Sequence, residues 1–208
     1  MTRGILYLTW GTYDKALLKR STDSADRYGY EWVHRHLDVK ETGLDNKKFI
    51  YDQSPFDITC FLDIDTVIKN PIDYGFEMAK KHGLACCIAP ASSAWHASPK
   101  SFRSEIDYDL PQLNTGVIFF RQWGYRGSAQ CLDTSIIDMD YDTEQLFAEW
   151  KQLLEKYPES ASNDQPFFSK AVYENINPFI LPATWNWRGK IRYNPRTPHG
   201  DIKILHQK

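Results

Sequence analysis

Short apolar runs alternate along this chain with segments of helical character. The runs that predict buried β-strands cover residues 5–9, 58–62, 84–89 and 117–120. The segments that favour helices cover residues 15–19, 47–51, 71–82, 142–157 and 164–173. Because strands and helices alternate, the pattern predicts an α/β protein with a mostly parallel central sheet flanked by helices. Ligands of such sheets bind at the carboxyl ends of the strands.

Some segments fall outside this alternation. Residues 31–37 mix apolar and basic side chains, and we predict a short strand there. Residues 90–111 are polar and serine-rich, with little periodicity, and they exceed an ordinary connection in a compact domain. We therefore predict an active-site loop or a lid over the acceptor. Further short segments are predicted at residues 179–181, 185–188 and 202–205.

The composition indicates one folded domain, which we assign to residues 1–208. The 25 basic and 27 acidic side chains give a net charge of −2, which provides no broad electrostatic attraction for nucleic acid. No apolar run approaches the roughly 20 residues of a transmembrane helix, so we expect no transmembrane segment. The start of the sequence lacks an export signal, and we expect a cytoplasmic location.

The cysteine pattern agrees with that expectation. The four cysteines are Cys60, Cys86, Cys87 and Cys131. They form no C-x-x-C pair, so a structural zinc site is not predicted. We expect reduced thiols in a cytosol-like compartment.

Two aspartates, Asp63 and Asp65, follow the apolar run 58–62. In a β-strand, residues i and i+2 point to the same side, so both carboxylates can aim at one point where the strand leaves the core. Two like charges repel at such a distance, and a divalent cation relieves the repulsion. Paired carboxylates suit magnesium or manganese, which is often shared with substrate phosphates. A loop with two solvated acids is the alternative, because D-x-D is a short motif.

Several motifs of the chain occur in an order known from one class of enzymes. They are Lys47, SPFD at 54–57, FLDIDT at 61–66, LNTGVIFF at 113–120, NDQ at 163–165 and LPATWN at 181–186. Together they resemble the nucleotide-diphospho-sugar glycosyltransferases of the GT-A fold, particularly the glycogenin-like (family 8-like) and related small families. The resemblance spans residues 4–206 and implies a single Rossmann-like GT-A domain.

The resemblance implies a metal site. Asp63 and Asp65 would bind Mn²⁺ or Mg²⁺, which bridges the donor diphosphate, and His206 would complete the metal shell. An imidazole beside carboxylates suits manganese, which accepts mixed nitrogen and oxygen ligands. Lys208 is a displaced match to a lysine that contacts phosphate. The alternative for His206 is an unattached tail residue.

The residues that the resemblance assigns to the nucleotide-sugar donor are Thr9, Gly11, Thr12, Tyr13, Lys47, Asp63, Ile64, Asn114, Thr115, Gly116 and Asn186. Asp164 and Gln165 match a catalytic pair whose side chains contact sugar hydroxyls near the anomeric carbon. Structural alternatives remain. Tyr13 can be an aromatic residue at a helix start, Lys47 a solvated lysine, and Asn163 or Asp164 a helix N-cap, a role that can coexist with contact to the sugar. Residues 114–116 can form a turn that enters a strand.

The implied reaction is the metal-dependent transfer of a hexose from a nucleotide sugar, with UDP-glucose or UDP-galactose as the expected donor. The acceptor would be a hydroxyl of a glycan, a glycoprotein or a small molecule, and the glycogenin-like pattern favours retention. One alternative is a nucleotidyltransferase acting on sugar phosphates, although Gly11 alone does not provide the glycine-rich basic loop of that class. The other is a noncatalytic domain that binds nucleotide or carbohydrate.

Overall fold

The computed structural model describes residues 1–40, 42–89, 100–107, 109–122, 143–188 and 201–206. The predictions for Cys131 and Lys208 lie outside these residues. Of the predicted loop 90–111, residues 100–107 and 109–111 are described, and Lys100–Glu105 forms a 3₁₀ helix.

The observed elements follow the predicted alternation. The strands are β1 (Arg3–Trp10), β2 (Trp32–Leu37), β3 (Ile58–Leu62), β4 (Thr66–Ile68), β5 (Leu84–Ile88), β6 (Leu113–Arg121), β7 (Phe179–Leu181), β8 (Trp187–Arg188) and β9 (Ile204–His206). The α-helices are α1 (Lys15–Arg27), α2 (Ile50–Gln53), α3 (Asp73–His82), α4 (Thr143–Lys156) and α5 (Gln165–Asn175). The helix predicted at 47–51 is divided between a 3₁₀ helix, Leu44–Phe49, and α2. Within the described ranges, no helix combines the length and apolar composition that a membrane crossing needs.

The main sheet has the strand order β2-β1-β3-β6-β5-β7. Its strand pairs are parallel except for those of β6, which runs antiparallel to both β3 and β5. The prediction of an α/β fold with a mostly parallel central sheet is confirmed. The reversal of β6 was not predicted, because a strand buried on both faces is a continuous apolar run in either direction.

Successive residues of the central strands pack into cores on opposite faces of the sheet. In β6, Ile118 and Phe120 belong to the core that contains α4 and α5, while Val117 and Phe119 belong to the core that contains α3. The ring of Phe119 meets that of Phe76 on α3 edge to face, with centroids 5.2 Å apart. This two-residue alternation covers both faces with apolar side chains. The polar side chains of a site are therefore expected near the ends of these central strands.

A small second sheet holds the last described strand beside Asp63 and Asp65, which we call the acidic pair. Its order is β4-β9-β8, with β9 antiparallel to β4 and parallel to β8. The register places His206 opposite Thr66, the residue that follows Asp65. Backbone pairing thus brings His206 to Asp65, although 141 positions separate them.

Candidate active site

The acidic pair lies in a turn between β3 and β4. The backbone N–H and Oγ1 of Thr66 both donate to the backbone oxygen of Asp63, at 3.1 and 2.7 Å. The expectation that strand alternation aims Asp63 and Asp65 at one point is therefore wrong in its mechanism. A tight turn after the strand places the two carboxylates instead.

Asp63, Asp65 and His206 form a group whose ligand atoms all lie within 4.8 Å of one another. Nε2 of His206 is 3.0 Å from Oδ1 of Asp65. The imidazole is buried, whereas the two carboxylate side chains are about a quarter exposed, at 25% and 24%. Burial alone raises the pKa of Asp65, but the hydrogen bond and charge of His206 outweigh it, and the pKa is lowered. Ionised carboxylates with one imidazole fit Mn²⁺, and the carboxylates also fit Mg²⁺.

Gly116 of β6 leaves room for this group. Its backbone oxygen accepts a hydrogen bond from the backbone N–H of Asp63 at 3.0 Å. A Cβ at Gly116 would lie 2.8 Å from Oδ2 of Asp63 and 2.9 Å from Cε1 of His206. Residues 114–116 lie inside β6, so the prediction that they precede the strand as a turn is wrong. The close approach of the acidic turn explains the glycine.

Lys47 is a buried cation that joins several groups of the site. Its Nζ lies 2.9 Å from Oδ1 of Asp63 and 3.9 Å from Oδ2 of Asp164, and it donates to the backbone oxygen of Thr115 at 3.3 Å. Burial alone lowers the pKa of Lys47, but the charges of Asp164 and Asp63 outweigh it, and the pKa is raised. With 3% of the residue exposed, Lys47 is not the solvated lysine of the alternative interpretation.

Asp164 is a buried carboxylate beside this cation, and 2% of the residue is exposed. Among the described residues, none donates a hydrogen bond to its Oδ2. Burial raises the pKa of Asp164, and the charge of Lys47 and a hydrogen bond with Thr115 oppose this only in part. Asp164 stands at the N-cap position of α5, as the alternative predicted, but its side chain makes no capping hydrogen bond. Oδ2 of Asp164 is thus an acceptor that no side chain or backbone group of the described residues uses.

Three side-chain amides form a hydrogen-bonded chain that starts at His206. Nδ1 of His206 lies 2.9 Å from Oδ1 of Asn186, and Nδ2 of Asn186 donates to Oδ1 of Asn114. Nδ2 of Asn114 donates to Oε1 of Gln165 at 3.0 Å. We call Asn186, Asn114 and Gln165 the amide relay. The resemblance assigned each of these residues to the site, but no local pattern in the sequence indicated that they bond to one another.

A second group of predicted donor residues lies at the end of β1 and consists of Thr9, Gly11, Thr12 and Tyr13. Thr9 is buried, Thr12 is exposed and Tyr13 is half-buried. Gly11 has a φ of +53°, in the left-handed region that favours glycine. Tyr13 precedes Asp14, whose side chain caps α1, so it does stand at a helix start. The assignment of this loop and of the half-buried Ile64 to the donor stays a prediction.

Sequence reasoning missed two histidines beside this loop. Oγ1 of Thr9 lies 2.8 Å from Nε2 of His34 and 3.0 Å from Nδ1 of His36. The ring of Tyr13 packs against both imidazoles, with centroid distances of 5.6 and 5.5 Å. Burial lowers the pKa of His34, and the charge of His36 adds to this effect. The H-x-H spacing in a predicted strand was the available signal, because it places both rings on one face.

Comparison with known proteins adds evidence on the fold. No family model and no curated protein matches the chain. Among solved structures, the galactosyltransferase LgtC, in complex with donor and acceptor sugar analogues, aligns with a TM-score of 0.58 and 10% identity over 98% of this chain and 86% of LgtC. The apo glycosyltransferase GlyE of Streptococcus pneumoniae TIGR4 aligns with a TM-score of 0.58 and 14% identity over 99% of this chain and 54% of GlyE.

Mouse xyloside xylosyltransferase 1, in its apo form, also aligns with a TM-score of 0.58 and 14% identity. The alignment covers 98% of this chain and 96% of the mouse protein. At such identities the similarity is one of fold. This chain therefore has the GT-A fold of nucleotide-sugar glycosyltransferases, as its sequence motifs indicated.

Proposed function

We propose that this protein is a metal-dependent glycosyltransferase that moves a hexose from a nucleotide sugar to a hydroxyl acceptor. One observation carries the proposal: the ammonium group of Lys47 lies between Asp63, which belongs to the candidate metal group, and the buried Asp164, whose Oδ2 receives no hydrogen bond from the described residues. A nucleotide sugar has a diphosphate for the first feature and hydroxyl groups for the second. The fold shared with glycosyltransferases supports the proposal.

The diphosphate of the donor is assigned to Asp63, Asp65 and His206. A bound Mn²⁺ or Mg²⁺ would stabilise the negative charge that develops on the leaving nucleoside diphosphate. The two carboxylates and the imidazole would hold that cation. Lys47 stays in contact with Asp63 and keeps its carboxylate oriented.

The hexose is assigned to Asp164 and Gln165. Oδ2 of Asp164 would accept a hydrogen bond from a sugar hydroxyl, which offsets the desolvation of a buried acceptor. Oε1 of Gln165 already accepts from Asn114, so Gln165 has its NH₂ group left to donate to a sugar oxygen. A site with one acceptor and one donor can select a hexose by the direction of its hydroxyls. UDP-glucose and UDP-galactose are the donors we expect.

The nucleoside is assigned to the first loop. Gly11 allows the backbone to approach the ligand, and Tyr13 offers an aromatic face to the base. We expect uridine there, retention of configuration at the anomeric carbon, and an acceptor hydroxyl on a glycan, a glycoprotein or a small molecule. The single domain over residues 1–208 and the cytoplasmic location also stay predictions.

Calorimetric titration with UDP, in the presence and absence of Mn²⁺, tests the donor and metal assignments. We expect UDP affinity to depend on Mn²⁺ and Asp65→Asn to remove this dependence. Asp23→Asn is the matched control, because Asp23 is an exposed carboxylate on α1 paired with Lys19. UDP binding that does not depend on Mn²⁺, or a Mn²⁺ dependence that persists in Asp65→Asn, would contradict the proposal.

NMR of the products from UDP-glucose and UDP-galactose identifies the transferred sugar and shows whether the anomeric configuration is retained.

A further inference from the structure

The backbone N–H of Gly116 fixes the orientation of the amide relay. A backbone N–H can only donate, so the atom of Asn114 that it contacts at 2.7 Å is the carbonyl Oδ1. The remaining polar atom of that side chain is Nδ2, which can only donate. The two ends of the Asn114 amide are thereby assigned by the backbone of β6.

Through Asn186, this assignment also fixes which nitrogen of His206, a ligand of the proposed metal, faces Asp65. Because Asn186 contacts Oδ1 of Asn114, it does so with Nδ2, and its own Oδ1 faces Nδ1 of His206 at 2.9 Å. An acceptor in that position calls for the imidazole proton on Nδ1. Nε2 is the nitrogen that faces Asp65, at 3.0 Å. The ring therefore presents to the acidic pair the nitrogen that can bind a metal.

The assignment extends equally to Gln165, one of the two residues that we assign to the hexose. Nδ2 of Asn114 donates to Gln165 at 3.0 Å, so the atom of Gln165 that receives this bond is Oε1. The NH₂ group of Gln165 does not take part in this bond and can donate to another partner. One backbone amide thus sets the orientation of a predicted metal ligand and of a predicted sugar contact.

We infer that Asn186 is a positioning residue, which strengthens metal binding by holding Nδ1–H of His206 while Asn114 anchors Asn186 to β6. The inference rests on the proposed function, because it concerns how a ligand of the proposed metal is held. An acceptor behind a metal-bound imidazole fixes the ring and raises its basicity. Only 5% of His206 is exposed, so water has little access to replace a lost acceptor.

Mn²⁺ binding, followed by the paramagnetic resonance signal of free Mn²⁺, tests this without any turnover. We expect Asn186→Leu to weaken binding by about 10–100-fold. Asn186→Asp keeps an acceptor toward Nδ1 of His206 but loses the donor to Oδ1 of Asn114, so we expect a smaller loss of affinity than in Asn186→Leu. Asn175→Leu is the matched control: Asn175 on α5 is half-buried, its Nδ2 donates to the backbone oxygen of Ala171, and it lies outside the relay.

A double-mutant cycle separates positioning from a general structural effect. If Asn186 acts through His206, then Asn186→Leu causes no further loss in the His206→Ala background. The same loss in both backgrounds, or unchanged Mn²⁺ binding by folded Asn186→Leu, overturns the inference alone. A wild-type protein that binds no Mn²⁺ contradicts the metal site of the proposed function as well. If Asn186→Leu does not fold, Asn186→Ala completes the same cycle.

Discussion

Nζ of Lys47 lies 2.9 Å from Oδ1 of Asp63, so the first carboxylate of the acidic pair is held by a buried ammonium group. The same Nζ is 3.9 Å from Asp164, which is buried as deeply as the lysine itself. Lys47 is therefore the counter-ion of two carboxylates with different proposed tasks. Its removal would affect the stability of the fold as well as the site.

Lys47→Met should lower the free energy of unfolding by about 3 kcal/mol, because it leaves buried carboxylate charge without a cation. Urea unfolding followed by circular dichroism measures this. Adding Asp164→Asn should recover part of the loss, since a neutral amide needs no counter-ion. Lys48→Met is the control, because that lysine pairs with the exposed Glu155 only at 3.8 Å and should cost less than about 1 kcal/mol. Equal urea midpoints of unfolding for Lys47→Met and the wild-type protein would contradict the prediction.

Gly116→Ala should weaken Mn²⁺ binding by at least about tenfold, as disturbance of a ligand's surroundings commonly does. The reason is steric, since the new Cβ would lie 2.8 Å from Oδ2 of Asp63 and 2.9 Å from Cε1 of His206. Gly4→Ala is a matched control in β1, where the Cβ would meet the ring of Phe56 at 2.4 Å. We expect Gly4→Ala to lower stability and leave Mn²⁺ affinity unchanged. If both variants lose metal equally, the effect is general destabilisation.

Gln165→Glu should weaken the binding of UDP-hexose relative to UDP by about tenfold, because this is the change in affinity that the loss of one hydrogen bond causes. The glutamate keeps an acceptor for Nδ2 of Asn114 but removes the NH₂ group that we assign to the sugar. Calorimetry with UDP, UDP-glucose and UDP-galactose measures the ratio. Gln53→Glu, at the end of α2, controls for the added charge. An unchanged ratio would exclude the NH₂ group of Gln165 as a sugar contact.

Protein stability should fall as the pH drops below about 6.5, in part because of His34. Burial, and then the charge of His36, lowers the pKa of His34 from its ordinary 6.5. The unfolded chain therefore takes up this proton more readily than the folded protein. The contribution of His34 is complete above pH 6.5 and declines as the pH falls toward the lowered pKa.

His34→Gln should make that decline shallower in urea unfolding measured between about pH 7 and 5. His82 also has a lowered pKa, caused by burial and then by Lys81, so part of the slope should persist in this variant. Adding His82→Gln should flatten the curve further. The prediction fails if His34→Gln leaves the slope as steep as in wild type.

The sequence by itself determined the class of fold and indicated the chemical groups of the candidate site. Apolar periodicity marked β3 and β6, and the spacing of Asp63 and Asp65 indicated a cation. Such features depend on neighbours along the chain, so they are visible without coordinates. The resemblance carried by the motifs then identified the fold, which the similarity to solved glycosyltransferases confirmed.

Only the tertiary structure decided which of these groups meet. The pairing of β4 with β9 brings His206 to Asp65, the turn after β3 replaces the expected strand alternation, and the burial of Lys47 turns an apparent surface lysine into a counter-ion. The reversal of β6 places Gly116 against Asp63. Local periodicity specifies the type of an element and its buried face. Strand order, direction and register arise from packing between distant segments, and these set the geometry of the site.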